Sequence, residues 1–370
     1  MADGSKIEWT DATWNIITGC SVVSPGCTNC YAMKLAGTRL RNHPSRAELT
    51  DDSKAGPVWN GQVRFNEQWL DQPLRWSRPR MIFVCAHGDL FHEAVPEKWI
   101  DQVFAVMALA PQHIFQVLTK RPERMRDYCL RLENEPHRQT VKRFCDAIPW
   151  DSKPKLPPEI TIPFPHVWLG FSAEDQERFD ERWPHMEKLA WAGWLTWLSA
   201  EPLLGPIDAT AALWSFRPCG DCPSPDPEKG ISEDCCRDPE LVDGLKWIVA
   251  GGESGAGARP AHPDWFRQIR DDSQRAEVAF HFKQWGDWLP GENHGAPPGQ
   301  PWPDAEWQDG ETGRHSRARD HGGPEWRHFT RPGDPGAFAL RVGKKAAGRE
   351  LDGRTWDEMP AAVQALEAAS

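Results

Sequence analysis

Apolar positions in this chain fall into short continuous runs that alternate with stretches of helical period. Residues 81–86 (MIFVCA) form one such run, and apolar side chains on both faces predict a strand buried on both sides. Pro96 opens the next stretch, where Trp99, Ile100, Val103, Phe104, Met107 and Ala110 mark one face of a helix over 96–110. The alternation continues with a strand at 113–119, a helix at 122–132, a strand at 166–172 and a helix from about 175 to 190. Strands at 194–200, 246–252 and 278–284 follow, with a helix near 263–276 between the last two.

Buried strands separated by helices imply a parallel sheet. With a short strand near Trp14–Thr18 the count reaches about six or seven, which predicts a partial or complete parallel β/α barrel and leaves a doubly wound open sheet as the alternative. The barrel core is expected over 1–290, with proline-rich, charged insertions at about 133–165 and 213–245. From 291 to 370 the chain turns polar and rich in glycine and proline, which predicts an extension wrapping the core.

Composition narrows the setting. A chain of 370 residues with 39% hydrophobic and 26% charged residues can bury a full core. No apolar run approaches the roughly 20 residues a bilayer span needs, and the N-terminus lacks a secretory pattern, so the expectation is a cytoplasmic protein without a membrane partner. In that compartment ten cysteines point to metal binding or chemistry rather than disulfides. A net charge of −11 argues against broad, sequence-independent binding of nucleic-acid backbone. The 21 tryptophans against two tyrosines have no explanation at this level.

Cys20, Cys27 and Cys30 are crowded into the stretch GCSVVSPGCTNCYA. Their number leaves open a zinc ion, a closed cluster completed from elsewhere, or an iron–sulfur cluster with one open iron. In β/α folds ligands meet the carboxyl ends of the strands, and this chain repeatedly places polar residues there. They are Cys85-Ala-His87-Gly-Asp89, Thr119-Lys120-Arg121, Ser172-Ala-Glu174, Ser199-Ala-Glu201, Gly251-Gly252-Glu253 and His281-Phe-Lys283. Lys120, Arg121 and Lys283 offer cations for a carboxylate or phosphate; Asp89, Glu174 and Glu201 suit an ammonium or proton transfer, or pair with those cations. Glu253 after Gly251 and Gly252 suits an amino group or ribose hydroxyls, because glycine permits close approach. Gly251–Gly257 lacks the lysine and spacing of a phosphate loop. A second thiol group, Cys219, Cys222, Cys235 and Cys236, fits a zinc site or an auxiliary iron–sulfur cluster. Cys85, Cys129 and Cys145 are isolated and read as packing residues.

Taken together, GC-x6-C-x2-CYA ahead of a β/α repeat resembles the radical S-adenosylmethionine superfamily. More narrowly, IEWTDATWN (7–15), GDLFHEAVP (88–96), FQVLTKRPERM (115–125), VWLGFSAE (167–174), SAEPLLGPID (199–208), GGESGAGARPAHPDW (251–265), FKQWGDW (282–288) and VGKKAAGRELDGRTWDEMP (342–360) resemble a phage-associated, radical-SAM-like family. The resemblance implies that Cys20, Cys27 and Cys30 ligate a [4Fe–4S] cluster whose remaining iron chelates S-adenosylmethionine. It further implies reductive cleavage of that cosubstrate, a 5′-deoxyadenosyl radical, and an electron donor such as flavodoxin or ferredoxin. Asp89, Lys120, Ser172, Glu174, Glu201, Gly251, Gly252, Glu253 and Lys283 are the expected cofactor-binding residues. A nucleobase or nucleotide is the expected substrate, with Lys120-Arg121, Lys283–Trp288 and Arg341–Arg354 receiving a phosphate and stacking a base. Two features depart from the usual superfamily pattern: six residues rather than three separate the first two cysteines, and Asn29 precedes the third where an aromatic is common. Two other readings compete: a non-catalytic, metal-stabilised binding protein, and a hydrolase using Asp89, His87 and Glu253 with a divalent metal.

Overall fold

Seven strands pair into one parallel sheet whose spatial order is the order of the chain: β1 (Ala12–Trp14), β2 (Met81–Val84), β3 (Ile114–Thr119), β4 (Val167–Ser172), β5 (Leu195–Ala200), β6 (Leu245–Gly251) and β7 (Ala279–Gln284). A doubly wound sheet reverses its strand order, and this one does not, so the sheet curls into a half-barrel. The structure is a computed structural model and describes residues 4–5, 7–148, 161–217, 240–290, 326–328 and 338–361.

Helices α1 (Tyr31–Gly37), α2 (Glu97–Leu109), α3 (Pro122–Arg131), α4 (Glu135–Ala147), α5 (Gln176–Trp191) and α6 (Pro263–Arg275) connect or flank the strands. The predicted strand at 81–86 stops at Val84 because Cys85 turns to φ 58, a left-handed backbone that leaves the ladder. Helix α4 occupies part of the proline-rich, charged insertion expected at 133–165. Pro136 sits in its first turn, where a missing N–H costs nothing, while Val141 and Cys145 supply its buried contacts. A hairpin of Thr50–Ser53 and Gly56–Trp59 packs on α1 and was not predicted. In the second insertion, Trp214–Arg217 pairs with Glu240–Asp243 as an antiparallel ribbon.

Alternation along the strands gives the sheet two apolar faces. One faces the helices and carries the larger core, including Val117, Leu169, Phe171, Leu198, Ile248 and Phe280. The other lines the concave side and is built from Trp168, Trp197, Trp247 and Phe83, with Trp9 inserted from the N-terminal segment. Their rings form one contact network: Trp9 stands 5.5 Å from Trp197 and 5.9 Å from Trp247, and Trp247 lies 5.1 Å from Trp197 and 5.8 Å from Trp168. Part of the tryptophan excess thus fills the half-barrel. The filling depends on Gly170, where a Cβ would stand 2.2 Å from the Trp197 ring.

Residues 351–358 cover the open edge of β7. Trp356 O accepts from Phe282 N at 2.9 Å, and Phe280 O accepts from Glu358 N at 3.2 Å. Trp356 is buried against Phe280. A strand edge that would otherwise present unpaired amides is covered in this way. Phe338–Arg341 adds a small antiparallel sheet with Trp288–Pro290 and Trp326–His328.

Candidate functional site

One cavity of about 410 Å³ opens at the carboxyl ends of the strands, and Cys20, Cys27 and Cys30 all border it. Asp89, Lys120, Arg121, Ser172, Ser199, Glu201, Gly252, Glu253 and Lys283 line it as well, so most of the predicted polar strand ends converge. Trp9 and Phe83, from the tryptophan-filled interior, also contribute to its wall.

The cysteine loop is fixed by backbone geometry first. Gly19 has φ +96, and a Cβ there would stand 2.1 Å from Gln62 O, so the chain enters the loop through a position only glycine fits. Pro25–Cys27 forms a single 3-10 turn, and Cys30 N donates to Cys27 O at 3.1 Å before α1 begins. The six-residue spacing therefore contains a structured turn. Glu174 holds that turn: its Oε1 accepts from Gly26 N at 2.8 Å, and its Oε2 accepts from Lys120 Nζ at 3.0 Å and from Arg182 at 3.4 Å. Glu174 is completely buried; burial pushes its carboxyl up, but Lys120, Ser24 and Gly26 outweigh this and bring its pKa down to about 2. It stands behind the cavity wall as the anchor of the cysteine loop.

Asn29, directly before Cys30, makes a second tie. Its amide donates to Glu253 at 3.0 Å and to Gly257 O at 2.9 Å, while Lys34 donates to its carbonyl at 3.0 Å. Glu253 also accepts from Arg259, at 2.6 Å from Nη2, 2.8 Å from Nε and 2.8 Å from the backbone N–H. The glycines before it serve strand packing: a Cβ on Gly252 would stand 2.0 Å from Trp285 O, and one on Gly251 would stand 2.9 Å from Glu201. Of the predicted cofactor-binding residues, Glu174 and Gly251 thus lie outside the cavity lining, whereas Asp89, Lys120, Ser172, Glu201, Gly252, Glu253 and Lys283 line it.

The remaining charges are paired within the wall. Asp89 accepts from Thr119 Oγ1 at 2.7 Å, Phe91 N at 2.9 Å, Arg121 at 3.1 Å and Lys120 N at 3.2 Å. Lys283 meets Glu201 at 2.8 Å, and Ser199 Oγ donates to Glu201 at 3.3 Å. Arg121 also donates to Glu93 at 3.0 Å and to Cys20 Sγ at 3.4 Å. Burial pushes the Cys20 thiol up to about 12, with the Asp89 carboxylate adding to the shift and Arg121 opposing it; burial raises Cys30 as well. These thiols lack enough positive charge from the protein to ionise, and a bound metal centre supplies such charge.

The donor set is soft: three thiols outside any disulfide on one cavity wall. Among the described residues no group of three or more His, Cys, Asp or Glu is placed to hold a metal ion. By chemistry alone, the three thiols are the donors a soft metal centre would take. Cys219, Cys222, Cys235 and Cys236, with their expected zinc or auxiliary cluster, lie outside the described residues.

Of the three residues of the hydrolase reading, Asp89 and Glu253 line the cavity and His87 does not. His87 accepts at Nδ1 from Arg46, at 3.0 Å from Nη2, and burial with that cation brings its pKa down to about 4. Asp89 and Glu253 are each saturated by separate arginines. The Ser21–His92 pair at 2.5 Å offers no nucleophile either. Ala94 N donates to His92 Nδ1 at 3.1 Å, so the proton of the neutral ring sits on Nε2 and is donated to Ser21. The predicted base-stacking tryptophans are also otherwise engaged. Trp285 and Trp288 are buried, with their N–H groups donated to Glu350 O and Ala258 O. Tyr31, half exposed at the cavity, has the accessible ring.

A curled parallel half-barrel with a thiol-lined cavity at its strand ends defines the class. The chain belongs to the family described as protein of unknown function (DUF5131), whose model matches residues 4–360. No curated protein and no solved structure matches it. No described helix is long and apolar enough to cross a membrane.

Proposed function

We propose that this protein is a radical S-adenosylmethionine enzyme in which Cys20, Cys27 and Cys30 hold a [4Fe–4S] cluster, with a nucleobase or nucleotide as substrate. The observation that carries the reading is the convergence of these three thiols with the polar ends of six successive strands, β2 to β7, on one cavity. When bound, the cluster supplies the electron for reductive cleavage of S-adenosylmethionine, and an external donor of flavodoxin or ferredoxin type replenishes it.

The chain's own residues prepare that cavity. Glu174 and Asn29 fix the cysteine loop from two sides. Ser172, Glu201 and Lys283 present the hydroxyl, carboxylate and ammonium that recognise the amino acid part of the cosubstrate. The exposed ring of Tyr31 offers a stacking surface for a base. The apolar floor of Trp9 and Phe83 keeps water from the deep end.

Anaerobic reconstitution of the full chain, followed by dithionite and S-adenosylmethionine, tests the reading. About four irons and four sulfides per chain, lost in Cys27→Ala, together with release of 5′-deoxyadenosine, are expected. A cluster-loaded protein that yields no 5′-deoxyadenosine, with or without nucleotides, overturns the radical reading. Zinc in place of iron at these cysteines overturns the cluster itself.

A further inference from the structure

Arg121 is held more elaborately than a wall residue needs. Its Nε donates to Glu93 at 3.0 Å, and its Nη1 donates both to Asp89 at 3.1 Å and to Cys20 Sγ at 3.4 Å. The same guanidinium's Nη2 is buried and has no partner. Arg121 is 9% exposed and borders the cavity next to Cys20. A buried guanidinium with unused donors costs free energy unless an acceptor is delivered to it. The two carboxylates fix its plane, Asp89 from inside the wall and Glu93 from the exposed side. The guanidinium is thereby held with its Nη1 toward the Cys20 sulfur.

We propose that Arg121 is a positioning residue that sets the reduction potential of the centre held by Cys20, acting through an N–H···S contact and its positive charge. The inference rests on the cluster reading above. One electron entering the cluster from a reductant adds negative charge at the sulfurs. A cation and hydrogen-bond donor at Cys20 stabilises the reduced state more than the oxidised one, which raises the potential. The exposed Glu93 carboxylate partly offsets this. Arg121 therefore makes the cluster easier to reduce, and Glu93 makes it harder.

The test uses the full chain as wild type, Arg121→Gln, Arg121→Lys and Glu93→Gln, each reconstituted anaerobically. Iron and sulfide are counted, and the midpoint potential is read by paramagnetic resonance during a redox titration. Arg121→Gln is expected to lower the potential by about 59 mV or more, a tenfold change for one electron. Arg121→Lys keeps the charge without the fork and is expected to fall between. Glu93→Gln retains an acceptor for Nε and is expected to shift the potential upward. Glu93 is exposed, so this variant also carries the test should Arg121→Gln fail to fold. A loaded Arg121→Gln at the wild-type potential overturns the inference, as does a downward shift in Glu93→Gln. A wild type that takes up no cluster instead overturns the reading on which the inference rests.

Discussion

Glu174→Gln probes the strongest electrostatic feature of the site. The carboxylate is completely buried and bridges Lys120, Arg182 and the backbone of Gly26. Its pKa falls from an ordinary 4.5 to about 2, which corresponds to about 3 kcal/mol of stabilisation at neutral pH. Removing one member of a buried ion pair costs about 3–5 kcal/mol by the independent route of mutational experience. Glutamine keeps the shape but places an amide donor among three donors and leaves Lys120 and Arg182 without their shared counter-charge. The expected loss is therefore about 3–5 kcal/mol at pH 7. Urea unfolding of the reduced full chain, followed by tryptophan fluorescence, measures it as a lower midpoint at unchanged slope. Because the folded pKa is depressed, the Glu174 contribution is fully present above pH 4.5 and disappears as pH falls towards about 2. The gap between wild type and variant should close over that same window. A variant within about 1 kcal/mol of wild type at pH 7, or a gap that persists at pH 2, would refute the reasoning.

Two further changes test the frame that carries the site. Gly170→Ala drives a methyl group to within 2.2 Å of the Trp197 ring inside the half-barrel, and a loss of about 1–3 kcal/mol in thermal or urea unfolding is expected from overpacking; an unchanged melting temperature would show that the tryptophan cluster yields easily. Trp356→Ala removes a buried ring from the segment that covers β7, with an expected cost of about 3–5 kcal/mol and faster amide exchange over residues 279–284; protection equal to wild type would mean that the segment does not guard that edge.

The strands were legible because both faces of the sheet are apolar: runs such as HIFQVLT and HVWLGFS leave little choice of secondary structure. The convergence of their polar ends also followed, since parallel strands in chain order bring their carboxyl ends to one side. Helix α4 was hidden by its composition, with Val141 and Cys145 its only buried side chains behind an initiating Pro136. Within the site, strand alternation works as far as Ser172, which faces the cavity. It fails two residues later, where Glu174 has left the strand and turned behind the wall. Arg259 lies six residues beyond Glu253 across a glycine-rich turn, and no local period connects them. The role of Asn29 is tertiary for the same reason, although its place directly before Cys30 was a signal available in the sequence.

The pairing of charges narrows what the cavity can do. Asp89 is matched to Arg121, Glu174 to Lys120 and Arg182, Glu201 to Lys283, and Glu253 to Arg259. Glu174, whose carboxyl is brought down to about 2, is a poor general base at neutral pH, and the other three carboxylates are occupied by hydrogen bonds from their cations. His87 and His92 each have Nδ1 occupied as an acceptor, so neither ring offers that lone pair to a substrate proton. The cysteine thiols are the reactive groups of the wall that no ion pair neutralises, and burial holds Cys20 and Cys30 in the uncharged form. Acid–base or hydrolytic chemistry would require these pairs to break. Ligation at the thiols requires only that protons leave sulfur as metal arrives, with Arg121 already beside Cys20 to share the resulting charge. On the reading proposed above, the same ion pairs would serve as a rigid frame around the three thiols.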